Sequence, residues 1–116
     1  MSAATLDSVF SALGDPTRRQ IVERLARGRL SITDVARGIP MSQPAISKHV
    51  KVLERSGLIE REVSGRAHYL RLTPKAMETA SLWIERQRQY WNQALLRLDA
   101  YLTETYHASE KKRKKK

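Results

Sequence analysis

The segment "PMSQPAISKHVKVLERSGLIE", residues 40–60, decides the fold of the chain around it. Ser42 is the kind of short polar residue that caps a helix, and Pro44 is tolerated in a first helical turn because the N–H groups there have no intrahelical partner. The apolar positions that follow recur at helical spacing and predict one buried face: Ile46, Val50 and Leu53. This helix is expected to end at Ser56-Gly57.

A shorter helix is predicted directly upstream, in "SITDVA" at residues 31–36. Ser31 and Asp34 are spaced as a capping box, and Gly38 and Pro40 then turn the chain. A short helix, a tight turn and a longer helix form a helix-turn-helix, predicted here over residues 31–56. In that motif the front end of the second helix enters the major groove of DNA.

The open face of the second helix carries groups suited to DNA. Gln43 is long enough to pair with adenine edges, and Ser42 and Ser47 can bond to bases or phosphates. Lys48 and, more distantly, Lys51 can neutralise phosphates. A surface helix with solvated charges would explain any one of these residues, so the prediction depends on the whole arrangement.

The remaining pattern predicts a mainly α fold with a small β-hairpin. We expect a first helix over 5–14, a second beginning at Pro16, a hairpin over 59–72 and a last helix over 73–106. The whole forms one domain over 1–110, followed by a basic, disordered tail at 111–116.

The last helix is too long and too apolar for a domain of this size to cover by itself. We expect a second copy of the chain to cover it, with the first helix of each chain taking part. The residues predicted at this dimer interface are Leu6, Val9, Phe10, Trp83, Ile84, Trp91, Leu95, Leu98 and Leu102.

The charge of the 116-residue chain is +10, and its positive part is concentrated. Residues 15–75 hold 13 Lys or Arg and 6 Asp or Glu, and the end "KKRKKK" adds six more cations. A basic middle of a fold is typical of a surface that binds a polyanion.

Several functional classes are disfavoured. The absence of cysteine excludes disulfides and thiolate chemistry. The three histidines have no ligand-like spacing, and no nucleophile triad or phosphate-binding glycine loop appears, so we expect no enzyme and no cofactor. No secretory pattern or membrane-length apolar run is present, so we expect a cytoplasmic, nucleoid-associated protein.

Four stretches, "LGDPTRRQIVERL", "SITDVA", "MSQPAISKHVKVLERSGLI" and "SGRAHYLRLTP", together resemble the ArsR/SmtB family of winged-helix transcriptional repressors. The resemblance covers about residues 5–75 and implies a homodimer that blocks promoters. It implies that residues 42–55 form the recognition helix and 59–72 the wing. The DNA-binding residues it implies are Ser42, Gln43, Pro44, Ser47, Lys48 and His49 on the helix, and Arg66, Arg61 and His68 on the wing.

The sequence departs from the metal-sensing members of that family. Those members carry a cysteine pair in "ELCVCDLA", whereas the aligned stretch here is "RLSITDVA", with Ser31 and Thr33 at the thiolate positions. Asp99, Glu104 and His107 are the nearest candidates for the family's other metal site, and they are too few for a good one. We therefore expect no metal sensing.

Some alternatives stay open. Trp83, Tyr90, Trp91 and Tyr101 could line a pocket for an apolar effector, although their spacing is more typical of a packed dimer seam. The principal prediction is a sequence-specific homodimeric repressor that binds an inverted-repeat operator. The alternatives are a non-specific DNA- or RNA-binding architectural protein and a module whose last helix pairs with a different chain.

Overall fold

The computed structural model of the protein describes residues 3–114, which form five helices and three strands. The elements in chain order are α1 (Ala3–Leu13), α2 (Pro16–Leu25), β1 (Leu30–Ser31), α3 (Ile32–Ala36), α4 (Gln43–Arg55), β2 (Ile59–Ser64), β3 (Ala67–Leu72) and α5 (Pro74–Lys114). The predicted helix-turn-helix is confirmed as α3 and α4, and the predicted hairpin as β2 and β3. The architecture is a winged helix-turn-helix with a long last helix.

The chain divides into two compact units, Met1–Ser81 and Leu82–Lys116. The predicted single domain over 1–110 stays a prediction. Within residues 3–114, no helix combines the length and the apolarity needed to cross a membrane.

The end of α5 differs from its prediction. The helix does not stop near residue 106 but continues to Lys114. No Gly or Pro follows Pro74, and Lys and Arg have high helix propensity, so the sequence contains no residue that would end the helix near 106. The prediction of disorder is therefore wrong for residues 111–114, and residues 115–116 lie outside the described residues.

Polar side chains cap three of the helices, and two of these caps, Ser31 and Ser42, are predicted by the sequence. The Asp15 carboxylate accepts a hydrogen bond from the Arg18 backbone N–H at 3.0 Å. The Ser31 hydroxyl accepts from the N–H of Asp34 at 3.1 Å, and the Ser42 hydroxyl accepts from that of Ala45 at 3.3 Å. Each cap satisfies a donor that the first helical turn leaves open, so the start of each helix is fixed locally.

The core of the first unit is built from the apolar stripes of α1, α2 and α4. Its largest fully buried side chains are Ile21, Leu53, Leu58, Ile59, Leu70, Val9, Val35 and Val50. Val9 is 0% exposed inside this core, so its predicted place in a dimer interface is wrong. The buried face of α1 faces its own chain, while Leu6 and Phe10 are only half-buried.

The strands form one antiparallel sheet in the order β1-β3-β2. Leu30 of β1 pairs with Leu70, and Ser64 pairs with Ala67 at the tip of the hairpin. The tip is a two-residue loop, Gly65-Arg66, and Gly65 has φ +62°, which a glycine adopts at little cost. The sequence predicted the hairpin but missed β1, because two residues are too short for a strand pattern.

Replacing Leu53 with alanine tests the burial of α4. Leu53 is 0% exposed in the core, so we expect the free energy of unfolding to fall by about 2–5 kcal/mol. Urea denaturation at a fixed chain concentration measures it. Lys51→Ala on the exposed face of the same helix is the control and should change stability by about 0.5 kcal/mol or less. Equal effects of the two substitutions would contradict this packing.

Candidate nucleic-acid interface

One face of α4 is open and polar. Gln43, Ser47 and Lys51 follow one another at intervals of four residues, which places them on the same side of the helix. We call the exposed residues on this helix and at its cap the α4 surface; they are Ser42, Gln43, Pro44, Ser47, Lys48, Lys51 and Arg55. The helix N-terminus at this surface adds unpaired N–H groups and the positive end of the helix dipole.

Several arginines of the basic middle are occupied within the fold. Arg18 Nε donates to the carbonyl of Ala12 at 2.7 Å, and Arg19 Nη1 donates to that of Leu13 at 2.8 Å. Both carbonyls lie at the end of α1, where backbone acceptors lack helical partners. Arg24 does the same at the end of α3, where Nη1 donates to the carbonyls of Val35 at 2.9 Å and Arg37 at 2.6 Å. These charges therefore serve the packing of the helices.

A second group of arginines is paired with carboxylates. Arg29 contacts Glu62 at 2.7 Å and lies over the ring of Tyr69 at 4.4 Å, and Arg71 contacts Glu60 at 2.7 Å. Because these arginines are paired with carboxylates, they attract an external anion less strongly than unpaired arginines would.

The cations without a hydrogen-bond or ion-pair partner in the described part of residues 15–75 are distributed unevenly. Three of them, Lys48, Lys51 and Arg55, belong to the α4 surface, and Arg66 lies at the hairpin tip. The other two are Arg27 and Lys75. The free positive charge of the first unit is thus concentrated on one helix face and one loop.

The three predicted wing contacts differ in availability. Arg66 is exposed at the tip. Arg61 instead donates to the Glu54 carboxylate of α4 at 2.7 Å, and its other terminal nitrogen lies 3.4 Å from Nδ1 of the exposed His68. The ion pair ties the hairpin to α4. Arg61 would therefore have to leave Glu54 before it could bind a phosphate.

His49 does not lie on the open face, and this corrects its predicted place. Its side chain is 18% exposed, with Nδ1 3.8 Å from an Asp15 carboxylate oxygen and 3.3 Å from Nη1 of Arg18. His49 is three residues after Ile46 and four before Leu53, so it borders the buried stripe of α4. Its ring thus connects α4 to the start of α2.

The same junction predicts a pH dependence. The Arg18 backbone N–H is the largest influence on Asp15 and lowers its pKa below the usual value of 3.8. Desolvation comes next and opposes this, and the charges of His49 and Arg18 then lower the pKa further. A carboxyl whose pKa is lower in the folded state stabilises the fold above the pKa of the unfolded chain. That contribution is lost as the pH falls through the folded pKa.

Asp15→Asn tests this dependence, because asparagine can still cap the helix but carries no charge. We expect the variant to be less stable than the wild type at pH 7. The difference between their free energies of unfolding should shrink as the pH falls below 3.8. Urea titrations from pH 7 to about pH 3 measure it. A constant difference across that range would show that the charge of Asp15 does not matter.

Metal-binding candidates are not brought together. The described residues contain no group of three or more His, Asp or Glu side chains placed to share a metal ion. Ser31, at one of the thiolate positions of the resemblance, uses its hydroxyl as a helix cap. The His107 ring meets the Tyr106 ring edge-on, with 6.0 Å between the centroids.

Two features of this region are absent from the sequence prediction. Arg55 is a cation of the predicted helix that is not among the predicted DNA-binding residues, yet it joins the α4 surface, as its position four residues after Lys51 could have indicated. A groove of about 300 Å³ also opens beside Gln43 between α3 and α4; its lining is Thr33, Ala36, Arg37, Met41, Gln43 and Ile46. No periodic signal marks this groove, because its residues come from two helices and the turn between them.

Comparisons with known proteins agree with this geometry. The model of a helix-turn-helix domain family matches residues 13–62. The chain is 38% identical to the HTH-type transcriptional regulator Rv2034 of Mycobacterium tuberculosis, over 77% of this chain and 80% of that protein. It is 30% identical to the transcriptional repressor SdpR of Bacillus subtilis, over 68% of this chain and 88% of that protein.

A solved structure has the same fold. The crystal structure of an ArsR family transcriptional regulator superposes with a TM-score of 0.74 at 30% identity, over 79% of this chain and 95% of that one. The helix-turn-helix, the hairpin and the long last helix, together with these relatives, assign the chain. It belongs to the ArsR/SmtB family of winged helix-turn-helix transcriptional regulators.

Proposed function

We propose that the protein is a homodimeric repressor that binds an inverted-repeat operator through α4 and the hairpin tip. The observation that carries the proposal is the distribution of free cations. Most arginines elsewhere in the first unit cap helices or pair with carboxylates. Of the six cations in the described residues 15–75 that have no partner, four lie on the α4 surface or at the hairpin tip: Lys48, Lys51, Arg55 and Arg66. Unpaired cations on a helix face and on an adjoining loop suit phosphates on either side of a groove.

Base reading is assigned to the first turn of α4. Gln43 is the first helical residue and is exposed, so its amide can reach a base edge, and Ser47 lies one turn further along the same side. Lys48 and Lys51 would hold the helix against phosphates. Arg66 would bind the flanking backbone or minor groove, with His68 near it.

Self-association is assigned to α5. Ile84, Trp91 and Leu98 are seven residues apart and are 51%, 69% and 52% exposed, and Leu95 and Leu102 are each 55% exposed. Large apolar side chains at heptad spacing favour a helix–helix seam. A second copy of the chain supplies a matching seam by symmetry, and Leu6 and Phe10 of α1 would join it.

We further propose that release from DNA needs no metal ion. The chain has no cysteine, and the Ser31 hydroxyl is engaged as a helix cap. An apolar small-molecule effector would bind at the aromatic side chains of α5, which are Trp83, Tyr90, Trp91 and Tyr101. Repression would follow because the bound protein excludes RNA polymerase from a promoter. The protein would act in the cytoplasm, at the nucleoid. No catalytic role is assigned.

Gln43→Ala should relax base preference. If the amide bonds to an adenine, its loss should reduce discrimination at one position of each half-site by about tenfold. Affinity for random duplex should change little, because the phosphate contacts are intact. Binding to duplexes with each base changed in turn measures this. Unchanged discrimination would remove Gln43 from base reading.

Competition binding tests the proposal against a non-specific architectural role. Labelled DNA from the promoter of the protein's own gene is bound, and unlabelled promoter or random duplex is added. A sequence-specific repressor should need at least about 10³-fold more random duplex for equal displacement. Equal competition by the two duplexes would favour the architectural role.

A further inference from the structure

Met41 is a large apolar side chain that stays partly exposed beside the front end of α4. It lies directly before the Ser42 cap of α4 and is 42% exposed. Its backbone N–H donates to the carbonyl of Ile39 at 2.8 Å, which fixes the turn that presents the side chain. The other large exposed apolar residues in the described part of the first unit are Val63 and Met77.

The Met41 side chain forms one wall of the groove of about 300 Å³ between α3 and α4. Ala36 and the 3%-exposed Ile46 add apolar surface to the groove, and Thr33 can add its methyl group. Gln43 lines the same groove, so the amide proposed to read a base lies beside an apolar notch. Arg37, paired with Asp34 at 2.8 Å, gives the groove a polar side.

We infer that this notch receives the 5-methyl group of a thymine in each half-site of the operator, with Met41 as a specificity-determining residue. The inference rests on the proposed function, because it requires the front of α4 to lie in the major groove. Of the groups that base pairs present there, the thymine methyl is the apolar one. An apolar groove beside a base-reading amide therefore suits the thymine methyl group better than it suits the polar groups of a duplex.

The size of the effect follows from burial of one methyl group. Removing it from the DNA should weaken binding by about fourfold for each half-site. A flexible thioether suits such a contact, since it adapts its shape to a small apolar partner. Leucine at position 41 should preserve most of the preference, and alanine should abolish it.

The test uses the full-length protein and the duplex that it selects from a random pool. Each thymine is replaced in turn by deoxyuridine, which lacks only the methyl group. For the wild type we expect one thymine per half-site whose replacement weakens binding by about fourfold. The Met41→Ala variant should bind the duplex with thymine and the duplex with deoxyuridine at that position equally. The Met41→Leu variant should still prefer the duplex with thymine. Met77→Ala, the same change at another exposed methionine, should behave as the wild type.

The outcomes separate this inference from the proposed function. If the wild-type protein does not prefer any selected duplex over random DNA, both the proposed function and this inference are overturned. Preference for the selected duplex with no thymine whose methyl group matters, or a methyl effect that persists in Met41→Ala, would overturn the inference alone. Loss of the methyl effect in Met41→Ala, with its retention in Met77→Ala, supports it.

Discussion

The triple variant Lys48→Ala, Lys51→Ala, Arg66→Ala is expected to lose most of the salt-dependent part of DNA binding. Each substitution occurs twice in a dimer, so about six phosphate contacts disappear and the slope of log affinity against log salt falls by about five. Between 50 and 200 mM salt, the wild type should therefore lose about 10³-fold more affinity than the variant. The loss should be similar on every sequence, because phosphates carry no base information.

Salt titrations of the wild type and the variant, on selected and on random duplex, measure the two slopes. The matched control is Arg27→Ala, Arg86→Ala, Arg97→Ala, which removes the same charge from three exposed positions outside the α4 surface and the hairpin tip. Long-range attraction alone would change both triple variants equally. An equal change would mean that no direct phosphate contact lies on α4.

The double variant Trp91→Glu, Leu98→Glu places two glutamates in the exposed apolar seam of α5. We expect it to prevent the two copies of the chain from associating. A symmetric dimer would bury four new charges against apolar partners, at a cost of about 3 kcal/mol or more for each uncompensated charge. Affinity for the inverted repeat should then fall by at least about 10³-fold, because one half-site would have to hold the chain alone. Sedimentation at micromolar concentration measures the association, and binding to whole and half operators measures the consequence.

Leu96→Glu is the control for the seam. Leu96 is 69% exposed, as Trp91 is. It is five residues from Trp91 and two from Leu98, and these spacings place it on a different side of the helix from both. We expect Leu96→Glu to stay dimeric and to bind the whole operator normally. If the double variant also stays dimeric, α5 does not hold the copies together through this seam.

The parts of the fold that were predictable are those fixed by local chemistry. The caps at Ser31 and Ser42 and the hairpin over 59–72 depend on a few neighbouring residues, and each is found where the sequence places it. The buried stripe of α4 follows from helical spacing alone. The family resemblance added the order of these elements.

The errors arise where distant parts of the chain meet. His49 lies against Asp15 and Arg18, and Val9 lies in the core, because of packing between helices that a single periodic pattern does not contain. The roles of Arg18, Arg19 and Arg24 were hidden for the same reason. In sequence, an arginine that caps another helix cannot be distinguished from one that is available to bind an anion. The net charge therefore overstated the number of cations available to bind DNA.

Selection of bound duplexes from a random pool tests the central claim most directly. If the first turn of α4 reads bases and a symmetric pair of chains presents it twice, the selected sequences should share an inverted repeat. The centres of its half-sites should be about 34 Å, or one turn of DNA, apart. A pool that shows no shared sequence after selection, or a single half-site without its inverted copy, would contradict the account.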